Sequence, residues 1–178
     1  MEQSDINFLN SVAFANSGSV ILYFTEQEID DILLILNIFN HVTLNDVMTY
    51  VHINRFTHEK YLDLLRTVLN NAPLDLNTYI IQGEKVNRDI SIYPDTSVDV
   101  VLWYHNKGPS IFEYIHLLWN KLKCNGVIVI KGVKENDEAS KLQLKFIFGN
   151  VISIPQGILV EIVYVNESDI VTIRKPCY

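Results

Sequence analysis

The stretch VDVVLWYHN, residues 98–106, and the later stretch LKCNGVIVIKGV, residues 122–133, decide the fold of this chain. Each contains a run of apolar residues without polar alternation, VVLWY and VIVI, which is typical of strands buried on both faces of a sheet. Between them, apolar side chains recur at helical spacing: Phe112, Ile115, Trp119 and Leu122. A strand, a helix and a second strand in this order predict a βαβ unit with parallel strands.

The same alternation extends over the rest of the chain. Further strands are predicted at 19–25, 41–47, 77–83, 158–165 and 169–173, and further helices at 26–39, 61–69 and from Asn136 or Asp137 to Gly149. Thr25 and Glu28 have the spacing of a capping box, and Asn125-Gly126 is expected to end the helix that precedes VIVI. Three residues separate the last two strands, which favours an antiparallel hairpin. We therefore predict an α/β fold, a three-layer α/β/α sandwich over residues 1–178 with a mostly parallel sheet of about seven strands and a C-terminal antiparallel hairpin.

Composition limits the function. The chain has 178 residues, of which 48% are hydrophobic and 20% charged, which supports one compact domain rather than a disordered, collagen-like or disulfide-dense chain. Lys plus Arg is 14 against 21 for Asp plus Glu, so the formal net charge is −7. A free-standing binder of a nucleic acid backbone normally has the opposite sign. An RNA partner therefore requires a basic partner protein or a local basic patch.

The cysteines and the N-terminal residues indicate the cellular compartment in which the protein is expected. Cys124 and Cys177 are far apart and form no CxxC pair, so they are most simply interpreted as free thiols in a reducing, cytoplasmic compartment. The start MEQSDINFLN lacks the features of a signal peptide, and the apolar stretch 29–39 is too short to cross a bilayer. No membrane association is expected.

Several common sites have no sequence signature here. The five histidines, at positions 41, 52, 58, 105 and 116, form no HxxxH or CxxH pair, so no metal site is predicted. The sequence contains no GxxxxGK[ST], GxSxG or GxGxxG motif. This argues against a P-loop ATPase, an α/β-hydrolase and a standard dinucleotide enzyme.

Residues 82–133 carry a resemblance to a known family. VDVVLWYHN, a helix and LKCNGVIVIKGV are similar to the "fDlvf.D" and "LkpGG.lvi" patterns of Rossmann-like S-adenosylmethionine (SAM)-dependent methyltransferases. The order of predicted elements fits this family over nearly the whole chain. The resemblance implies a seven-stranded, mostly parallel sheet with a final hairpin, and SAM as the cofactor.

The resemblance also implies cofactor-binding residues. Asp46, at the end of the predicted second strand, takes the place of the acid that accepts hydrogen bonds from the ribose hydroxyls, and Gly83-Glu84 resembles the "GD" beside the adenine. Tyr104, His105 and Asn106 follow the fourth strand, at the edge where ligands bind in such sheets.

The segment that matches the family's glycine-rich loop is 24–28, which contains no glycine, so side chains are expected to crowd the methionine part. An alternative registration uses 11–19 as strand and loop and supplies Gly18. Glu26 and Glu28 are candidates to hold the cofactor's amino group, although acids also favour a helix N-terminus on electrostatic grounds alone.

A narrower resemblance concerns catalysis. Lys131 in VIVIKGV and Glu161 in ILVEIVYV are similar to two members of the Lys-Asp-Lys-Glu tetrad of ribose 2′-O-methyltransferases of the FtsJ and viral cap type. In such a tetrad, burial and neighbouring charges lower the pKa of the central lysine, which then accepts the ribose hydroxyl proton. Here Tyr104 or His105 takes the place of the aspartate, and the first lysine has no counterpart. A strand-end lysine and an edge-strand glutamate also occur simply to protect a sheet edge.

Two functions follow from the resemblance. The first is a divergent SAM-dependent methyltransferase, of the RNA ribose 2′-O type in its narrowest form, with Lys131 and Glu161 as catalytic residues and His105 as a candidate general base. The second is a catalytically inactive methyltransferase-like domain that acts as a scaffold or partner subunit. The missing glycines and aspartate favour the second, and the retained acids favour cofactor binding. The second function implies a protein partner, and a second copy of the chain is the alternative partner.

Overall fold

The structure is a computed structural model that describes residues 1–15, 18–41, 48–71, 78–83, 85–104, 110–165 and 168–178. The strands are β1 (Val20–Thr25), β2 (Thr49–Asn54), β3 (Thr78–Gly83), β4 (Val98–Tyr104), β5 (Leu122–Lys131), β6 (Glu161–Tyr164) and β7 (Ile170–Arg174). The helices are α1 (Gln3–Ala15), α2 (Ile29–His41), α3 (His58–Asn71), α4 (Val86–Ser91), α5 (Ile115–Lys121) and α6 (Glu138–Phe146). A 3₁₀ turn (Ile111–Glu113) precedes α5, and a π-helical turn (Ile147–Val151) follows α6.

The strands form one sheet in the order β3-β2-β1-β4-β5-β7-β6. Strands β1 to β5 pair in parallel, and β7 is antiparallel to both β5 and β6. The seven-stranded, mostly parallel sheet with a terminal hairpin is therefore confirmed. The order reverses between β1 and β4, and in such sheets the reversal opens a crevice at the carboxyl ends of the strands.

Each face of the sheet is covered by helices. One core lies under α1, α2 and α3 and includes Leu22, Phe24 and Leu102. The other lies under α4, α5 and α6, where Trp103 stacks on Tyr23 with ring centroids 4.0 Å apart. Because successive residues of β1 and β4 point to opposite cores, both faces of these strands need apolar residues, which explains the apolar runs at 20–24 and 100–103.

Asp99, the acidic residue of β4, has a structural role. Asp99 accepts hydrogen bonds from the backbone N–H of Ser19, at 2.8 Å, and from Lys123 Nζ, at 3.0 Å. It thereby fastens the start of β1 to the start of β4 and to β5. Within β4 and β5, the pair Tyr104–Lys131 ends the shared register and brings both side chains to the carboxyl edge of the sheet.

Several sequence-based boundaries are wrong. The second strand is Thr49–Asn54 rather than 41–47, because α2 continues through position 41. Helix α5 ends at Lys121, and residues 122–126 belong to β5, where Asn125 tolerates a left-handed backbone at φ 64°. The predicted cap at Asp137 is confirmed, since its side chain accepts from the Ser140 backbone N–H.

The first two connections also differ from expectation. Helix α2 begins at Ile29, so Thr25 does not form the predicted capping box, and its Oγ1 is buried without a hydrogen-bond partner. Residues 11–15 are helical in α1, so the alternative that made 11–19 a strand and loop is wrong.

The prediction of free thiols is wrong as well. Cys124, near the start of β5, and Cys177, in the C-terminal segment, form a disulfide with their Cα atoms 4.8 Å apart. A disulfide does not fit the predicted reducing, cytoplasmic location. None of the helices described is both long and apolar enough to cross a membrane.

Candidate functional site

The carboxyl edge of the parallel strands is the candidate site. Thr25, Asn54, Gly83, Tyr104 and Lys131 are the last residues of β1 to β5. The chain turns sharply beyond three of these strands, with positive φ angles of 51°, 58° and 105° at residues 26, 55 and 132. The strand order reverses at this edge, so it is where the fold offers a crevice for a ligand.

Lys131 is the candidate catalytic residue that the structure places at this edge, and two carboxylates hold it. Its Nζ lies 3.0 Å from Asp5 Oδ2, on α1, and also contacts Asp169 Oδ1, just before β7. Asp5 accepts a further hydrogen bond from the Ser168 hydroxyl. Lys131 is 7% exposed and Asp5 2%, so solvent screens this cluster weakly.

The charges of this cluster set the ionisation of its members. Burial alone would lower the pKa of Lys131, but the hydrogen bonds and charges of Asp169 and Asp5 outweigh it and raise the pKa above its ordinary value. Burial would raise the pKa of Asp5, but the Ser168 hydroxyl and Lys131 together lower it. The expected lowering of the Lys131 pKa is therefore wrong, and the ammonium has no free electron pair with which to accept a proton.

Glu161 lies far from Lys131. It pairs with Arg174 across the hairpin, and Arg174 pairs with Val127 on β5, whereas Lys131 pairs with Ile170. Four residues of β5 separate the two levels, roughly 13 Å at strand rise. Glu161 is exposed and lines a different cavity, under α1, with Phe8 and Arg174. The structure does not bring these two predicted catalytic residues together.

Tyr104 borders the Lys131 cluster. It lines a cavity of about 390 Å³ together with Met1, Lys131, Lys134 and Ser168, among others. Burial raises the pKa of the Tyr104 phenol, and the nearby Asp31 carboxylate adds to the effect. The phenol therefore stays neutral at physiological pH and offers a hydrogen bond and a half-buried ring face.

The connection from β1 to α2, which the sequence resemblance matches to the family's glycine-rich loop, contains no glycine. Glu26 adopts the left-handed backbone and its side chain is exposed. Gln27 is only 4% exposed, and its Nε2 donates to Asp31 Oδ2 at 3.0 Å. Its Oε1 is buried without a hydrogen-bond partner, as is Thr25 Oγ1. Side chains therefore occupy this connection, and two buried oxygens in it have unused hydrogen-bonding capacity.

The ends of β1, β2 and β3 are joined by a buried polar chain. Asn54 Nδ2 donates to the Tyr23 hydroxyl at 2.8 Å, which donates to Asp89 Oδ2 on α4 at 3.2 Å. Asp89 packs against Gly83, where an added Cβ would overlap the carboxylate. Asn54 and Arg55 are site residues that the sequence patterns did not indicate, and their signal is their position directly after the apolar pattern of YVHI.

Three predicted site residues, Asp46, Glu84 and His105, lie outside the described residues. The prediction places Asp46 at the end of the second strand, and that premise is wrong because β2 begins at Thr49. In the described part of the chain, no cluster of three His, Cys, Asp or Glu side chains is arranged to hold a metal ion.

Comparison with known proteins places the fold. No family model and no curated protein matches the sequence. Among solved structures, a protein of Corynebacterium glutamicum is similar with a TM-score of 0.67, 13% identity, and coverage of 99% of this chain and 82% of that one. The tRNA methyltransferase TrmI of Aquifex aeolicus gives a TM-score of 0.62 at 11% identity, covering 100% of this chain and 70% of that one. M. jannaschii TYW2, solved in complex with AdoMet, gives a TM-score of 0.55 at 18% identity, covering 98% of this chain and 76% of that one.

These similarities show that the chain has the Rossmann-like fold of SAM-dependent methyltransferases. A ribose diol needs hydrogen-bond acceptors. At the end of β2, Arg55 only donates, whereas the Asn54 side chain donates its amide N–H to Tyr23 and keeps its amide oxygen as an acceptor. The two partnerless oxygens of Thr25 and Gln27 are the one described feature that suits a bound ammonium group.

Proposed function

Starting from a fold shared with SAM-dependent methyltransferases, we propose that this chain is a catalytically inactive methyltransferase-like domain that serves as a scaffold or partner subunit. The observation that carries the proposal is the pairing of Lys131 with Asp5 and Asp169. A lysine held as an ammonium between two carboxylates ties α1 and the start of β7 to the end of β5 and does not act as a general base.

The residues that follow β1 and end β2 at the same edge of the sheet support the same function. The β1–α2 connection is filled by Gln27 where the family uses glycine, and Asn54 at the end of β2 is engaged with Tyr23. A partner role is also supported by exposed apolar side chains on and after α6: Leu142, Phe146 and Val151.

The experiment is a cofactor-binding measurement by calorimetry and thermal unfolding. We expect no heat of binding and no rise in melting temperature with millimolar SAM or S-adenosylhomocysteine. A cofactor present at 100 times its dissociation constant would stabilise the fold by about 2.7 kcal/mol. Light scattering on the same sample measures whether a second copy is bound. Stabilisation by SAM together with methyl transfer to any acceptor would overturn the proposal.

A second candidate is a divergent SAM-dependent methyltransferase, in its narrowest form acting on an RNA ribose 2′-hydroxyl. The observation that favours it is the pair of buried, partnerless oxygens on Thr25 and Gln27, since buried polar atoms without a partner often mark a ligand site. Gln27→Met keeps the volume and removes the oxygen. Under this candidate SAM binds and Gln27→Met weakens binding, whereas under the first candidate the substitution changes no ligand affinity.

A further inference from the structure

A cavity at the carboxyl ends of β2 and β3 is lined by cationic side chains. Its volume is about 390 Å³, and Arg55, Lys85 and Arg88 line it together with Asn54 and Tyr114. Arg55 directly follows β2, Lys85 directly precedes α4, and Arg88 lies within α4. Tyr114, which precedes α5, supplies an aromatic wall. Separate elements therefore bring positive charges to one opening.

These charges stand out in a protein of net charge −7. Elsewhere Lys121 pairs with Asp95, Lys123 with Asp99, and Lys131 with two carboxylates. Arg55 and Lys85, in contrast, have no hydrogen-bond or ion-pair partner among the residues that the structure describes. Arg55 and Lys85 therefore bring two positive charges to this cavity that no described carboxylate pairs with, and such charges favour an anion.

The backbone fixes where Arg55 stands. Its φ of 58° is unusual for a residue other than glycine, and the neighbouring strand end maintains it. The Asn54 carbonyl accepts a hydrogen bond from the Glu26 backbone N–H at 3.1 Å, and the Asn54 side chain, 4% exposed, is bound to Tyr23. The guanidinium therefore extends from a rigid anchor rather than from a free loop.

We propose that this cavity binds a phosphorylated nucleoside, with the phosphate on Arg55 and Lys85 and the base against Tyr114. A guanidinium fork binds phosphate oxygens in pairs, and an ammonium adds a point charge. In dinucleotide-binding Rossmann folds, an acid near this edge of the sheet accepts hydrogen bonds from free ribose hydroxyls, and a nearby arginine accommodates a ribose phosphate. SAM carries no phosphate, so this inference goes beyond the proposed function and does not depend on it.

The test is isothermal titration of the full chain at low salt with adenosine 2′,5′-bisphosphate, and separately with adenosine and with inorganic phosphate. We expect the bisphosphate to bind at least about tenfold more tightly than adenosine or phosphate alone, because charge-assisted contacts add to stacking. Raising the salt should weaken this binding, since the cations are exposed.

The variant Arg55→Asn/Lys85→Gln removes both charges, and asparagine tolerates the positive φ at position 55. We expect it to lose at least about tenfold in affinity for the bisphosphate. The matched control is Lys145→Gln, an exposed lysine of α6 that lines another cavity, and it should bind as the unchanged protein does. A thermal unfolding curve for each variant confirms that it is folded.

Four results would overturn the proposal. They are no binding of the bisphosphate at millimolar concentration, equal affinity for adenosine, equal affinity for inorganic phosphate, or unchanged affinity in the double variant. A short single-stranded RNA that binds far more tightly than the bisphosphate, and loses affinity in the same variant, would replace the nucleotide by RNA. Because SAM is not a ligand in this titration, its result is independent of whether the methyltransferase assignment stands.

Discussion

Lys131→Met should destabilise the protein, because it leaves two carboxylates without their cation. Asp5 is 2% exposed, and the side chain of Asp169 is 30% exposed, so solvent compensates only the second. Removing one partner of a buried ion pair costs about 3–5 kcal/mol. Since Asp169 is partly screened, we expect about 3 kcal/mol at pH 7. Urea unfolding followed by circular dichroism measures this difference.

The pH dependence of this loss follows from the two pKa shifts. The pKa of Asp5 is lowered in the folded state, so its contribution is present above its unfolded pKa and is lost as the pH falls through the folded value. The pKa of Lys131 is raised, so its contribution is present below its unfolded pKa and is lost as the pH rises through the folded value. The cost of Lys131→Met should therefore be constant near neutrality and shrink below about pH 4.

Lys121→Met is the matched control. Lys121 forms a 2.8 Å pair with Asp95, whose side chain is 73% exposed, so its loss should cost less than about 1 kcal/mol. If Lys131→Met costs no more than this control, or costs as much at pH 3 as at pH 7, the cluster does not hold the sheet edge as argued.

Three further predictions concern stability. Replacing Cys124 and Cys177 by serine removes a disulfide that spans a sequence separation of 53. The loop-entropy model gives a loss of up to about 4 kcal/mol in the free energy of unfolding. Non-reducing peptide mapping that finds both thiols free would contradict the disulfide itself. Gly83→Ala should cost about 1–3 kcal/mol in urea unfolding because the added methyl overlaps the Asp89 carboxylate, and an unchanged midpoint would show that Asp89 moves freely. Burial lowers the pKa of His52 to about 4, so the unfolded chain takes up the proton first and stability falls, by on the order of 3 kcal/mol, as the pH drops from 6.5 towards 4. An NMR titration of the His52 ring with a midpoint near 6.5 would refute this.

The sequence predicts those strands whose stability is local in origin. In β1 and β4 every position except Thr25 and Asp99 is apolar or aromatic because both faces are covered, and this pattern is visible in the sequence. The pattern of β2 is less visible because three of its buried residues, Thr49, His52 and Asn54, are polar. His52 contacts the Tyr93 hydroxyl and Asn54 bonds to Tyr23, and these partners are distant in sequence. A buried polar residue whose hydrogen-bond partner is distant in sequence therefore has the pattern of a surface residue until the fold is known.

The same limit applies to the candidate site. The position of Lys131 at a strand end followed from the apolar run before it. Its ionisation did not, because Asp5 comes from the first helix and Asp169 from the turn before the last strand. The disulfide is a further case, since Cys124 and Cys177 are close only after β5 and the C-terminal segment have met. Sequence patterns report which faces are buried, whereas charge pairing across the fold requires coordinates.

The bond between Asp5 and Ser168 joins residues 163 positions apart, which matters while the chain is being made. At about 5–20 residues per second, roughly 8–33 s pass between the translation of these two residues. During that interval Asp5 on α1 lacks its hydrogen bond from Ser168, and β5 has an unpaired edge because β7 has not yet left the ribosome. A nascent chain that stalls before β7 therefore exposes a template for strand pairing, and the segment that carries β7 closes it.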